Sequence, residues 1–203
     1  MIIGIDEAGR GTLAGPVYAA CCLISDDFDK SILDDSKKLN PKQREEARLR
    51  IVSNCAYGIG FATHKEIDET NILKATFLAM KRAFGRFLKN AETKNVDIGH
   101  AEIIVDGPFL PPFLNKWDGE SLLKESEPDF SAFAIVKADS KIPAVMAASI
   151  LAKTARDEIM LLADKKWPQY GYARHKGYGT LAHRHAIKNL GQSPIGRKTF
   201  SVS

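Results

Sequence analysis

The chain has 203 residues, of which 29 are Lys or Arg and 25 are Asp or Glu, for a formal net charge of +4. With 44% hydrophobic and 27% charged residues it has the make-up of a globular protein, which excludes a disordered, collagen-like or coiled-coil chain. The length suits roughly one large domain, and the basic excess hints at a polyanionic partner.

In chain order, Ile2 to Ile5 is a short apolar run ending in acid and reads as a first strand. Gly9, Gly11, Gly15 and Pro16 punctuate the turn after it, and the unbroken apolar run Val17 to Ile24 reads as a buried strand. Asp34 to Asn40 is a polar, basic loop, and Pro41 suits the first turn of a helix to about Ser53. Ala56 to Thr63, with Tyr57, Ile59 and Phe61 alternating, predicts a third strand. Ile72, Thr76, Ala79, Met80, Ala83 and Phe87 recur at helical spacing. Glu102 to Val105 and Phe130 to Val136 predict two more strands, separated by a proline-rich loop or insertion around Pro112–Ser131. Val145, Ala148, Ala152, Ala155, Ile159 and Leu162 mark one face of a long helix. A Gly- and Tyr-rich basic loop, Gly171 to Thr180, leads to a last helix at about Leu181 to Leu190. Three strands followed by strands alternating with helices make an α/β domain with a mixed sheet.

Cys21, Cys22 and Cys55 form no Cys-x-x-Cys pair and read as buried, reduced thiols rather than a zinc site or a disulfide framework. No stretch approaches the ~18 apolar residues that a membrane span needs. The N-terminus lacks a signal peptide's basic start and long apolar core, so a cytoplasmic protein without a membrane partner is expected.

Carboxylates stand at or just after the ends of apolar strands: Asp6 and Glu7, then Asp106, then Asp139. Strand ends in α/β sheets present function on a rigid scaffold, and hard divalent cations take oxygen ligands. Acids from separate strands can converge on a pair of such ions, which clamps an in-line phosphoryl displacement. Taken one at a time, each acid is better explained as a solvated loop residue or helix cap.

The local sequence adds to this. Gly4-Ile5-Asp6-Glu7-Ala8-Gly9-Arg10-Gly11, with Leu13-Ala14-Gly15-Pro16, resembles the signature of ribonuclease HII. In the same order, so do Asp35-Ser36-Lys37-Lys38-Leu39, Val105-Asp106-Gly107, Ala147 to Lys153 and His175-Lys176-Gly177-Tyr178-Gly179-Thr180, with the tail Ser193 to Phe200 in outline. The resemblance spans essentially the whole chain. It implies an RNase H-like fold, a mixed central β-sheet flanked by helices with a helical C-terminal extension. The whole of 1–203 would be one catalytic domain, in which about 168–203 forms a substrate-contacting segment. It further implies an endoribonuclease that cuts the RNA strand of RNA–DNA hybrids and nicks 5′ to single ribonucleotides in duplex DNA. Asp6, Glu7, Asp106 and Asp139 would be the catalytic acids and the ligands of Mg²⁺ or Mn²⁺, with Asp157 the competitor for the fourth position.

Gly9, Arg10 and Gly11 would let backbone N–H groups approach a phosphate, and with Tyr178 would sense the 2′-hydroxyl that separates RNA from DNA. Lys37, Lys38 and Ser149 complete the expected substrate contacts. Arg174, His175 and Lys176, and a third patch at Arg197 and Lys198, would add a salt-sensitive grip on phosphates. Thr12, Pro108 and Gly196 depart from the family's usual residues. Ribonuclease HIII is the nearest rival. It usually carries an extra N-terminal domain for which an acid at residue 6 leaves no room. A DNA-acting relative of the fold, or a non-catalytic nucleic-acid-binding module, are the others. The family suggests a monomer, and no tail motif points to a sliding clamp.

Overall fold

A computed structural model describes residues 1–34, 36, 38–115 and 130–202. Five strands form one sheet: β1 (Ile2–Ala8), β2 (Val17–Leu23), β3 (Ala56–Ala62), β4 (Glu102–Asp106) and β5 (Ser131–Ile135), in the order β3-β2-β1-β4-β5. The first three strands pair antiparallel, whereas β1, β4 and β5 run parallel. This is the expected mixed sheet.

Helices α1 (Pro41–Asn54), α2 (His64–Glu69), α3 (Ile72–Thr93), α4 (Pro143–Lys166), α5 (Tyr172–His175) and α6 (Leu181–Leu190) surround it. Local chemistry starts several of them. Asn40 and Gln43 form a reciprocal capping box before Pro41, and Thr63 and Glu66 form another at α2. The α2 signal, Thr63-x-x-Glu66, was present in the sequence but lies outside every periodic run. The stretch expected to be one basic loop contains the single turn α5.

The two sheet faces are covered differently. Ile3 and Ile5 of β1 pack with Met80, Phe84 and Phe87 of α3 in one core. Ala20 and Cys22 of β2 face Ala147, Ala148, Leu151 and Ala152 of α4 in the other. Strand side chains alternate, so Gly4 and Asp6 share the α4 face. Gly4 has to be glycine there, because a Cβ would lie 2.2 Å from the Ala144 carbonyl carbon. That close crossing sets the first turns of α4 directly beside the end of β1.

One expectation is corrected. Asp6 and Glu7 do not follow β1 but lie within it, because β2 continues to pair through Glu7↔Ala19 and Ala8↔Tyr18. Of the expected insertion, 112–114 form a 3₁₀ turn, and 116–129 lie outside the described residues, as does Lys37. The three cysteines are free and buried. Among the described residues no helix is long and apolar enough to cross a membrane.

Candidate active site

The register of two parallel strands builds the centre. Ile5 lies opposite Val105, so the next residues, Asp6 within β1 and Asp106 at the end of β4, stand side by side. Asp106 Oδ1 accepts a 2.7 Å hydrogen bond from the Ala138 amide, which ties β4 to the 3₁₀ turn Ala138–Ser140 that carries Asp139. Glu7 follows Asp6 on β1 and accepts from Arg10 Nη1 at 3.3 Å.

Asp6 is 4% exposed. Burial, then the neighbouring Glu7, and also Asp106, push its carboxyl well above the usual carboxylate range, against hydrogen bonds from Ser149 and the Glu7 amide. The Ser149 hydroxyl also meets that of Ser36 at 3.0 Å. Ser149 is thus both a helix-packing residue and a direct partner of the acid.

A cavity of about 520 Å³ is lined by Asp6, Glu7, Asp106, Asp139, Gly9, Arg10, Gly11, Ser149 and Tyr178. The structure therefore brings together all four acids with Gly9, Arg10, Gly11, Ser149 and Tyr178. It is not the largest depression, since one beside α5 and α6 reaches about 630 Å³; convergent acids rather than volume mark the site. Among the described residues no three His, Cys, Asp or Glu groups close tightly enough to hold a metal ion as they stand. The acids border an open cavity.

Four further lining residues, Ala8, Ser36, Arg44 and Lys153, were not expected as site residues. Ser36 lies in the Asp35-Ser36-Lys37 motif, which was a signal for it. Arg44 had none: it reaches from α1 to the Ser36 carbonyl at 2.9 Å and the Leu39 carbonyl at 2.7 Å. Asp157 is engaged elsewhere, bound by Lys153 Nζ at 2.6 Å through each oxygen, and lines a different cavity.

Several further residues singled out in the sequence do not line this cavity. Lys38 is exposed, pairs with Asp34 at 3.2 Å and does not line the cavity. Arg197 is 0% exposed and belongs to no surface patch. Its guanidinium donates to the carbonyls of Gly9, Arg10 and Gly15 at 2.7, 2.8 and 2.9 Å. His175 bonds the Tyr170 carbonyl at 2.8 Å and stacks on His183, while Lys176 Nζ donates to the Ala173 carbonyl. Thr12, the departure from Pro, is buried, donates to the carbonyls of Gly9 and Ala14, and accepts from Arg156 at 2.9 Å.

Residues 3–202 match the family model for ribonuclease HII. The chain belongs to the ribonuclease HII family. Ribonuclease HII of Treponema denticola is 50% identical over 208 residues, covering 100% of this chain and 98% of that one. Ribonuclease HII of Coxiella burnetii is 41% identical over 201 residues, 98% of this chain and 88% of the relative. In fold, the chain resembles the ribonuclease HII of a PCNA:RNase HII complex from Archaeoglobus fulgidus, with TM-score 0.70, 26% identity, and coverage of 99% and 95%. A Bst-RNase HIII in complex with Mn²⁺, at TM-score 0.70 and 19% identity, shares the fold over 99% of this chain and 67% of its own. The RNase H-like fold is thereby shown, and as a ribonuclease HII the chain is a ribonuclease H, a hydrolase of RNA.

Proposed function

We propose that this ribonuclease HII hydrolyses the RNA strand of RNA–DNA hybrids and nicks duplex DNA on the 5′ side of a single embedded ribonucleotide, leaving 5′-phosphate and 3′-hydroxyl ends. The observation that carries this is one shared cavity: Asp6 and Asp106 side by side, Asp139 on the adjoining turn, and Gly9, Gly11 and Tyr178 on its rim.

The donor set fits a hard divalent cation. It is all oxygen, and Asp6 already suffers a charge clash with Glu7 and Asp106 that a bound Mg²⁺ or Mn²⁺ relieves. Asp6 and Asp106 would be the central ligands, with Glu7 and Asp139 completing the set. When bound, two such ions supply activation of the attacking water and neutralisation of the leaving 3′-oxygen. Ser149 and the Glu7 amide hold the Asp6 carboxylate in one orientation. The Gly9–Gly11 backbone approaches the phosphate beside the ribonucleotide, and Tyr178, 44% exposed, packs against its sugar. Lys37 and Lys38 add a salt-sensitive grip on the substrate backbone. A single chain is the working unit, and a sliding clamp, the partner in the Archaeoglobus complex, is a candidate partner.

Cleavage of an end-labelled DNA duplex holding one ribonucleotide tests this, with wild type and Asp106→Asn, each in Mg²⁺, Mn²⁺ or chelator. A 5′ nick that needs metal and Asp106 is expected. An uncut duplex in every metal, still bound by the protein, overturns the proposal in favour of a binding module.

A further inference from the structure

The loop from Gly9 to Pro16 leaves β1, lines the active cavity at Gly9, Arg10 and Gly11 and carries main-chain carbonyls into the protein interior. Buried carbonyls need donors, and two buried side chains supply them. Arg197 takes the carbonyls of Gly9, Arg10 and Gly15. Arg156, 1% exposed on α4, donates to the Pro16 carbonyl at 3.0 Å, to Thr12 Oγ1 at 2.9 Å and to the Ala14 carbonyl at 3.2 Å.

Two like charges packed this way are costly unless their hydrogen bonds are complete. Burial, then the facing Arg156, lowers Arg197 to about 9, so it is still a cation at neutral pH.

The direction of these bonds matters for the site. No peptide bond among the described residues is cis, and in a trans peptide the C=O and N–H point opposite ways. With the Gly9 and Arg10 carbonyls turned inward to Arg197, the N–H groups of Arg10 and Gly11 point outward, on the side where these residues line the cavity.

Arg156 adds the second link. It donates to the Lys176 carbonyl at 2.9 Å and lies 6.0 Å from the centre of the Tyr178 ring. The Leu13 amide bonds the Gly177 carbonyl at 2.8 Å, and Thr12 bridges Tyr178, so loop and turn meet over this guanidinium. Gly9 is shaped by the same packing: its φ is +94°, and a Cβ would stand 1.9 Å from Arg156 Nε.

We propose that Arg156 and Arg197 are positioning residues for substrate specificity. Arg197 aims the Arg10 and Gly11 amides at the substrate backbone, and Arg156 holds that loop and the Tyr178 turn in one fixed relation. Both roles rest on the junction reading of Gly9–Gly11 and Tyr178 given above. A disturbed pair blurs the choice of ribonucleotide more than it slows hydrolysis, because the bonds of both arginines go to the loop and the Tyr178 turn, whereas the carboxylates sit on β1, β4 and the Ala138–Ser140 turn.

The test compares kcat/KM on a duplex with one ribonucleotide and on a long RNA–DNA hybrid, for wild type, Arg156→Lys, Arg197→Lys, Tyr178→Ala and the Arg156→Lys/Tyr178→Ala double variant. Lysine has no fork to hold two carbonyls at once. Each Lys variant is expected to lower the ratio of the two kcat/KM values by about tenfold, roughly one bidentate interaction. The double variant should fall within about threefold of Tyr178→Ala alone, because the two groups act through one contact. Thr12→Val, which removes only the hydroxyl between Arg156 and Gly9, covers the case in which a Lys variant fails to fold. It should shift the ratio in the same direction, by about threefold. Equal losses on both substrates, additive effects in the double variant, or an unmoved ratio in Thr12→Val overturn these roles alone. A wild type that cuts hybrids but not the single ribonucleotide overturns the junction reading and these roles with it.

Discussion

Helices α3 and α4 cover opposite faces of the same sheet, and they do it with different chemistry. On α3 the buried set includes Met80, Phe84 and Phe87, and its buried Thr76 is satisfied within the helix by the Ile72 carbonyl at 2.7 Å. On α4 the buried set is mostly small, and its polar members reach far along the chain: Ser149 to Ser36, and Arg156 to Thr12 and Pro16. Small residues let the sheet approach both helices, at Gly58 and Gly60 under α3 and at Gly4 under α4, but α3 adds the large side chains Met80, Phe84 and Phe87. The α4 face adds buried polar groups instead, beside the strand carrying Asp6. Stability and function are therefore separable by face, and substitutions on each side should fail in different ways.

The largest effect expected is on the α4 side. Asp106→Asn should lose about a thousandfold or more in cleavage rate, the several kcal/mol attributed to metal-held charge stabilisation, with the fold intact by circular dichroism. A fall below tenfold would remove Asp106 from the centre. The mirror experiment is Phe84→Ala on the α3 side. Phe84 is 0% exposed and its ring lies 6.0, 5.9 and 6.1 Å from those of Phe87, Phe113 and Phe130. Its truncation should cost about 3–5 kcal/mol in urea unfolding, with the substrate preference of the remaining folded protein unchanged. A changed preference would break the separation of the two faces.

Asp6→Asn should go the other way in stability. An amide still accepts the Glu7 amide's bond, and it carries no charge to be buried beside Glu7 and Asp106. The variant should be inactive yet more stable in chelator by about 1 kcal/mol. The sign with pH follows. Native Asp6 keeps its proton to higher pH than in the unfolded chain, so the metal-free protein loses stability as pH rises through that raised value. Asp6→Asn should flatten this slope, and equal slopes in both proteins would contradict the clash.

The smallest effect lies at the start of the α3 side. Arg82 of α3, helped by the Thr63 amide and hydroxyl, lowers Glu66 from 4.5 to about 2. A depressed carboxyl adds stability above its unfolded value and loses it as pH falls toward the folded one. Glu66 is 28% exposed, so solvent screening limits the gain. Glu66→Gln should cost about 1 kcal/mol at neutral pH, a cost that disappears between about pH 4.5 and 2, with no change in cleavage.

Much of this molecule was legible in the sequence because its signals are local. The α6 expectation, Leu181 to Leu190, matches the helix found, with Thr180 as its cap, and the four acids could be picked out because they stand at or just after the ends of apolar runs. Contact across the chain was not legible. That Asp6 stands beside Asp106 depends on the pairing of two strands about a hundred residues apart, whose partnership and register are settled only when both pack in one sheet. Lys38 and Arg197 looked alike as basic loop residues, yet one pairs with Asp34 at the surface and the other is buried against Gly15, 182 positions earlier in the chain. By itself the sequence determined the order and type of the long strands and helices, and which motifs the chain shares with ribonuclease HII, since periodicity, caps and motif order act over a few residues. Only the tertiary structure decided which cations face solvent and which hold carbonyls. A guanidinium goes wherever folded chain leaves buried acceptors unpaired, and those acceptors exist only once distant segments have packed.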